Sequence, residues 1–134
     1  MNALTSDDLE FLRRPLHGFL TVAGGQPRPV WFEAAGDGTI QLFSEPDAPK
    51  VRRLRRDPRA SIVVAAPVGE RERWVSIEGR MSVEPDGAQE LAQRLAARYW
   101  DLGDPDRAAD AKAIGDTEQV RLVLHAETVR RYAF

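Results

Sequence analysis

The chain has no cysteine and only two histidines among its 134 residues. Without cysteine, disulfide bonds, thiolate zinc sites and cysteine nucleophiles are excluded. The two histidines, His17 and His125, belong to no HxxH or HExxH motif, so the sequence predicts no metal site. The glycine-rich phosphate loops and the GxSxG elbow of serine hydrolases are absent as well. No catalytic residue can therefore be identified from these motifs.

Long apolar runs are also missing. No segment approaches the roughly 18 apolar residues of a membrane span, and the acidic segment 1–10 lacks the apolar core of a signal peptide. The length and the hydrophobic content of 43% fit one domain over residues 1–134. We therefore expect a soluble, cytoplasmic, single-domain protein with no membrane partner.

The net charge is small, −2 at pH 7 from 19 basic and 21 acidic residues, and gives no indication of nucleic-acid binding. The distribution of charge is uneven, because residues 50–59 hold six cations and the single carboxylate of Asp57. Such a run is often the solvated face of a helix. It also predicts an anion site, since crowded cations repel one another unless a negative group lies nearby.

Hydrophobic periodicity and turn signals predict a mainly β protein with helices. Strands are expected near 19–23, 28–35, 39–43, 60–66, 74–83 and 120–132, with the first three in a meander. Gly79 indicates a bulge or a close backbone approach. The apolar run 60–66 indicates a strand that is buried on both faces. Six strands joined by short turns favour a small antiparallel barrel.

Four helices are expected over 6–13, 48–56, 86–99 and 106–114. Asp47 is predicted to cap the second helix, and Asp86 with Gln89 to form a capping box at the third. The third helix should bury Leu91, Leu95 and Tyr99, which recur at every fourth position.

Lys50 is the residue that points most directly to a ligand. It lies in the first turn of the predicted helix 48–56, where the helix dipole disfavours a cation unless a bound phosphate reverses the effect. Arg53 lies one turn further along the same flank, Ser44 offers a hydroxyl, and Arg55 projects towards the apolar stripe of the helix. The neighbouring strands bring apolar residues that could wall an aromatic cofactor, namely Val30, Trp31, Phe32 and Phe43.

Several segments together carry a resemblance to a known family: GFLTV at 18–22, RPVWF at 28–32, LFS at 42–44, the motif from Lys50 to Asp57-Pro58, and VSIEG at 75–79. Over roughly residues 9–100 the chain resembles the pyridoxamine 5′-phosphate oxidase-like split-barrel superfamily, closest to its F420 (deazaflavin)-dependent reductase branch. The motif from Lys50 to Pro58 is more specific than the strands.

The resemblance implies a six-stranded antiparallel Greek-key split β-barrel that forms a homodimer, with F420 or FMN in a groove at the dimer interface. Lys50 matches the family's phosphate-binding lysine, and Ser44, Arg53 and Arg55 match positions near the cofactor tail. The strand containing Val30, Trp31 and Phe32 matches the one that lines the ring. The implied activity is hydride transfer to or from a small organic substrate, with no catalytic residue identified.

Three functions stay open at this point. The first is the oxidoreductase, with F420 favoured over FMN because a longer acidic tail would use more of the arginines in 50–59. The second is a non-enzymatic split barrel that binds haem, another tetrapyrrole or a flavin. The third is a nucleic-acid-binding barrel, which the neutral or acidic remainder of the chain disfavours. The C-terminal arginine and lysine of true vitamin B6 oxidases are not evident, so that reaction is not expected.

Overall fold

The computed structural model describes residues 3–134, and Met1 and Asn2, which belong to the predicted acidic N-terminal segment, lie outside the described residues. One antiparallel sheet contains seven strands: β1 (Gly18–Val22), β2 (Arg28–Val30), β3 (Glu33–Ala34), β4 (Ile40–Ser44), β5 (Arg59–Ala65), β6 (Arg73–Glu84) and β7 (Val120–Ala133). Four helices accompany it: α1 (Ser6–Leu12), α2 (Pro49–Arg56), α3 (Ala88–Tyr99) and α4 (Pro105–Gly115). The mainly β architecture with helices is as predicted.

The predicted strand 28–35 is in fact two strands, which raises the count from six to seven. The sheet order is β2-β1-β5-β6-β7-β4-β3, so β2 and β3 lie on opposite edges although only Trp31 and Phe32 separate them. Three Cα–Cα steps of about 3.8 Å reach at most about 11 Å. The sheet must therefore curl until its edges nearly meet, which produces a half-barrel. Both pairings of the predicted meander are present, because β1 pairs with β2 and β3 pairs with β4. The break at Trp31 and Phe32 places these two pairs on opposite edges of the sheet, and β4 also pairs with β7.

The core fills the concave side of the curled sheet. Side chains with almost no exposed surface project inward from alternate positions of the central strands: Leu20, Ile62, Val64, Val75, Ile77, Leu122 and Leu124. The prediction that β5 is buried on both faces is wrong, because Val63 is 39% exposed and Ala65 is exposed on the convex side. Among the described residues, no helix or strand covers that side of β5.

Strands β6 and β7 form the longest ladder, and the predicted bulge at Gly79 is confirmed. The register between the two strands shifts between Glu78 and Gly79. A Cβ at position 79 would collide with the backbone carbonyl of His125, so the two backbones approach too closely for any side chain. The extra residue is Glu127 of β7, which has no partner on β6. A bulge of this kind bends the strand that carries it and increases the local twist of the sheet.

Helix α3 buries Leu91 and Leu95 as predicted, and Tyr99 is half-buried at its end. The predicted capping box is wrong, because the helix begins one residue later than the box requires. Gly87, with φ of 78°, is the N-cap and supplies no side-chain cap. Gln89 instead donates its side-chain amide to the carbonyl of Thr117, at 2.7 Å, beyond the end of α4.

Helix α1 is fixed to the last strand by a buried carboxylate. Asp8 and Thr5 form a capping box at the start of the helix. Arg131 of β7 donates to Asp8 at 2.7 Å, and the Asp8 side chain is only 3% exposed. None of the helices in the described part of the chain is long and apolar enough to span a membrane.

Candidate functional site

The loop between β4 and α2 sets the position of Lys50. Ser44 ends β4 as a buried residue, and its hydroxyl donates to the carbonyl of Glu45 at 3.1 Å. Pro49 begins α2, and the N-cap is Ala48, which has no capping side chain. The predicted cap by Asp47 is therefore wrong. The carbonyl of Asp47 instead accepts a hydrogen bond from the Arg52 guanidinium. Lys50 follows Pro49 directly, in the first turn as predicted.

A groove of about 660 Å³, here called the cation groove, runs between the start of α2 and the β1–β2 hairpin. Its cationic side chains are Arg28, Lys50 and Arg53. Its other lining residues are apolar or uncharged: Leu20, Val22, Gly25, Gln26, Pro29 and Pro49. Among residues 3–134, none of the three cations forms an ion pair with a carboxylate. The groove is therefore an uncompensated positive site.

Lys50 lies half-buried at one wall of the cation groove. Burial lowers the pKa of its ammonium group below the ordinary value, because removal from water penalises the charged form. No neighbouring carboxylate offsets this cost within the described chain. An anion that entered the groove would favour the ammonium form and remove the penalty.

Arg53 lines the same groove from the same helix, one helical turn after Lys50. Its guanidinium lies against the tight turn at the tip of the β1–β2 hairpin, where a Cβ on Gly25 would stand 3.3 Å from Nη1. Arg28 reaches the groove from β2 and donates to the carbonyl of Pro27 at 3.1 Å. One strand and one helix thus supply the three charges.

Arg55 does not line the cation groove. It is exposed on α2, whereas Val51 and Leu54 form the buried stripe of the helix. The expectation that Arg55 projects towards that stripe is wrong, because the stripe is too narrow to include it. Arg56 is exposed as well. The predicted role of Arg55 as a cofactor ligand stays a prediction.

The predicted aromatic wall is largely occupied by the protein's own packing. Trp31 stacks on Tyr99 of α3, with ring centroids 5.1 Å apart and planes 3° from parallel. It also meets Trp100 edge-on, with centroids 4.6 Å apart. Phe32 is fully buried in the core, and Val30 packs against that core. The side chains of Val30, Trp31 and Phe32 do not line the cation groove.

Phe43 and Ser44 line a second cavity of about 430 Å³, here called the Gln119 pocket. The pocket lies between the β4–α2 loop and the end of α4, and its remaining lining residues are Glu45, Ala48, Lys50, Ala113, Ile114, Thr117 and Gln119. Lys50 lines both cavities. Four of the eight residues predicted as cofactor ligands line these two cavities, which meet at Lys50: Phe43 and Ser44 line the Gln119 pocket, Arg53 lines the cation groove, and Lys50 lines both. Of the other four, Val30, Trp31 and Phe32 pack within the protein, and Arg55 is exposed.

Two groups of site residues were not predicted from the sequence. Arg28 and the turn at Gly25 belong to the cation groove. Arg28 is the first residue of the RPVWF segment, so its positive charge beside that motif could have identified it as a site residue. Gln119 stands in an unpatterned stretch before β7, and nothing in the sequence marks it. Within residues 3–134, no three histidine, aspartate or glutamate side chains are grouped to hold a metal ion.

The curled antiparallel sheet, with a cationic groove beside the helix that follows β4, defines a split-barrel protein. A comparison with known protein families then identifies the family of this chain. The pyridoxamine 5′-phosphate oxidase family model matches residues 5–132, nearly the whole chain, and the protein belongs to this family. The resemblance predicted from the sequence is confirmed.

Solved structures give the same fold at low sequence identity. The conserved hypothetical protein Rv2991 from Mycobacterium tuberculosis has a TM-score of 0.69 at 22% identity, covering 98% of this chain and 87% of its own. A structure named F420 reductase has a TM-score of 0.68 at 22% identity, covering 90% of this chain and 94% of its own. A heme binding protein from Mycobacterium smegmatis has a TM-score of 0.54 at 27% identity, covering 90% of this chain and 49% of its own. No curated protein matches the sequence.

Proposed function

We propose that the protein is a cofactor-dependent oxidoreductase that binds F420 or FMN, with the tail phosphate of the cofactor in the cation groove. The observation that carries this proposal is the convergence of Arg28, Lys50 and Arg53 on one groove without a carboxylate partner among the described residues. A phosphate suits this arrangement, because a helix N-terminus and charge-assisted donors both favour it.

The residues present fit such a cofactor in three respects. The floor of the groove is apolar, from Leu20 and Val22, while its charges lie towards the hairpin and α2. Lys50 is desolvated and lacks an anion. Within the described chain, Arg52, Arg55 and Arg56 continue along α2 without ion pairs. These arginines favour F420 over FMN, because F420 carries the longer acidic tail.

The chain itself would bind and orient the cofactor, and the cofactor would supply the hydride chemistry. Lys50 and Arg53 would neutralise the tail and hold it against the β1–β2 hairpin. Trp31 would act indirectly, because its stacking on Tyr99 fixes the segment between β2 and β3. Both the F420 reductase fold neighbour and the family support this proposal.

A homodimer is part of the proposal. The convex side of the sheet carries a row of apolar side chains in direct register, here called the apolar row: Phe19 opposite Val63, Ala65 opposite Trp74, and Trp74 opposite Tyr132. Phe19 is 47% exposed and Tyr132 is 44% exposed. A contiguous exposed apolar patch of this kind marks a protein–protein interface. A second copy of the chain would cover it and complete the groove from the other side.

The alternative is a non-enzymatic haem- or tetrapyrrole-binding split barrel, which the heme binding protein supports by its fold and name. The protein should be titrated with F420, FMN and haem, following fluorescence or absorbance, as wild type, Lys50→Ala and Lys112→Ala. Lys112 is the only other lysine, and it is exposed on α4, so it is a matched control.

We expect F420 or FMN to bind, and Lys50→Ala to weaken that binding about tenfold or more, as expected when a charge-assisted hydrogen bond is lost. Lys112→Ala should leave the affinity within about twofold, as expected for a surface substitution. Equal affinities for the wild type and Lys50→Ala would overturn the phosphate assignment. Binding of haem alone would contradict the proposed oxidoreductase and favour the non-enzymatic haem-binding protein.

A further inference from the structure

The two lysines of the chain have different surroundings. Lys50 is half-buried and lines the cation groove, whereas Lys112 is exposed on α4. Neither a hydrogen bond nor an ion pair from residues 3–134 acts on the Lys50 amine. The unpartnered side-chain atoms that are sealed from solvent in this part of the chain are Arg98 Nε and Gln119 Oε1. The amine of Lys50 is therefore unpaired and reachable from the groove.

An unpaired lysine amine in such a place is a chemical nucleophile as well as a charge. Only the neutral form of an amine attacks an electrophile, and desolvated lysines are the ones that proteins use in this way. Burial lowers the pKa of Lys50. At a given pH, a larger fraction of this amine is neutral than for a lysine in water.

Two arginines beside Lys50 are suited to hold a phosphate. Arg28 and Arg53 line the same groove, and neither is paired with a carboxylate among the described residues. A guanidinium binds a phosphate through two parallel hydrogen bonds. Residues three apart on a helix have Cβ atoms about 5–6 Å apart, so Lys50 and Arg53 can contact adjacent groups of one small molecule. A group bonded to the held phosphate then lies next to the amine.

We propose that Lys50 is a site of acylation by small acyl phosphates, the mixed anhydrides of a carboxylic acid and phosphoric acid. Arg28 and Arg53 hold the phosphoryl group, and the neutral amine of Lys50 attacks the acyl carbon. An amide C–N bond forms and the C–O bond to the phosphate breaks. Inorganic phosphate leaves with the bonding electron pair, and the nitrogen releases one proton to water. The reaction is a group transfer and needs no oxidant or reductant.

Two effects of the bound phosphate oppose each other. Its negative charge favours the ammonium form of Lys50, and a rise of one unit in the pKa lowers the neutral fraction about tenfold. Against this, a well-oriented reacting pair reaches effective molarities of about 10⁵ M or more. The arginines also neutralise part of the phosphate charge. The gain from proximity is therefore the larger effect.

Acylation of Lys50 would regulate the groove. An amide carries no positive charge, so the modified side chain no longer attracts a phosphate. The inference rests on the phosphate site of the proposed function, but not on its hydride chemistry. It predicts that a bound cofactor protects Lys50, and that the acylated protein binds the cofactor weakly.

The test compares two acetyl donors on the protein without cofactor: acetyl phosphate, and N-acetoxysuccinimide, which has no phosphate. Peptide mass spectrometry gives the initial rates of acetylation at Lys50 and Lys112 in the same sample. The ratio of these rates is measured for the wild type, Arg53→Gln and Arg13→Gln. Arg13 is exposed and has no ion pair within residues 3–134, so its substitution is a matched loss of one positive charge.

We expect the wild-type ratio of Lys50 to Lys112 to be at least about tenfold higher with acetyl phosphate than with N-acetoxysuccinimide, because only acetyl phosphate is held by the arginines. Arg13→Gln should keep this difference, as expected for a surface substitution. In Arg53→Gln the ratios for the two donors should agree within about twofold. Equal ratios in the wild type, or a difference that persists in Arg53→Gln, would overturn the proposal.

Inorganic phosphate provides the same test if Arg53→Gln fails to fold. Excess phosphate should slow the acetylation of wild-type Lys50 by acetyl phosphate and leave that of Lys112 unchanged. Equal effects on the two lysines would count against a phosphate-directed reaction.

Cofactor titrations separate this proposal from the proposed function. Protein acetylated at Lys50 should bind F420 or FMN about tenfold or more weakly than unmodified protein, and an unchanged affinity contradicts the regulatory role. If cofactors bind in a Lys50-dependent way but the two donors give equal ratios, this inference fails and the proposed function stands. If the donors differ as expected but no cofactor binds, the acylation site stands and the proposed function fails.

Discussion

Gly79 offers a sharp test of how the sheet is built. In Gly79→Ala, the new methyl group would meet the His125 carbonyl more closely than real Cβ atoms ever approach an oxygen. Strands β6 and β7 would have to separate at the bulge. Such a separation loses about two ladder hydrogen bonds at about 1 kcal/mol each, with about 1 kcal/mol or more of overpacking strain. We therefore expect the free energy of unfolding to fall by about 3 kcal/mol.

The assay is urea denaturation of the wild type, Gly79→Ala and the control Gly36→Ala, with thermal melts in parallel. For a domain of this size, about 3 kcal/mol corresponds to roughly 10–15 °C in Tm. A Cβ added at Gly36 would meet no neighbouring atom within 4 Å, so this substitution should change stability by less than about 0.5 kcal/mol. A Gly79→Ala protein as stable as Gly36→Ala would refute the close approach of β6 and β7.

Three other substitutions test separate features of the molecule. Lys50→Met removes an ammonium group that burial destabilises, so it should increase the free energy of unfolding of the cofactor-free protein by about 0.5–2 kcal/mol and raise its Tm. An unchanged or lower Tm counts against that burial. Asp8→Asn should be less stable than the wild type at neutral pH, and this difference should shrink as the pH falls in an acid titration of stability. Tyr132→Glu should shift the proposed homodimer towards monomer in analytical ultracentrifugation, whereas Val68→Glu, on an exposed turn outside the apolar row, should not.

The sign of the acid effect at Asp8 follows from its surroundings. Burial raises the pKa of the carboxyl, but hydrogen bonds from Arg131 and Thr5 together lower it by more, so the net shift is downward. A lowered pKa means that the carboxylate stabilises the folded protein above its unfolded pKa. That contribution is lost as the pH falls through the folded pKa. A difference between the variant and wild type that stayed constant in acid would contradict this pairing.

The sequence allowed good prediction of the elements whose residues alternate or recur regularly. Strands β1, β4, β6 and β7 and helix α3 lie within a few residues of their expected positions, because apolar periodicity is a local property. The break at Trp31 and Phe32 was not predictable in this way. Both halves have strand-like composition, and the break depends on closure of the sheet around the core.

The candidate site was only partly predictable for a related reason. Lys50 and Arg53 were found, because a cation in a first helical turn is unusual and its neighbour one turn on shares its flank. Arg28 and Gln119 come to the site through the pairing of β2 with β1 and the packing of α4 beside the β4–α2 loop. Those contacts join residues that are distant in the chain, and no local pattern encodes them.

The role proposed for Lys50, holding the phosphate of a cofactor in the cation groove, is open to direct measurement. The decisive quantity is the distance from Lys50 Nζ to the nearest phosphate oxygen in a crystal structure grown with F420 or FMN. We expect about 2.7–2.9 Å, the length of a charge-assisted hydrogen bond, with Arg53 beside the same phosphate. A cofactor phosphate bound outside the groove, beyond hydrogen-bond reach of Lys50, would contradict that role.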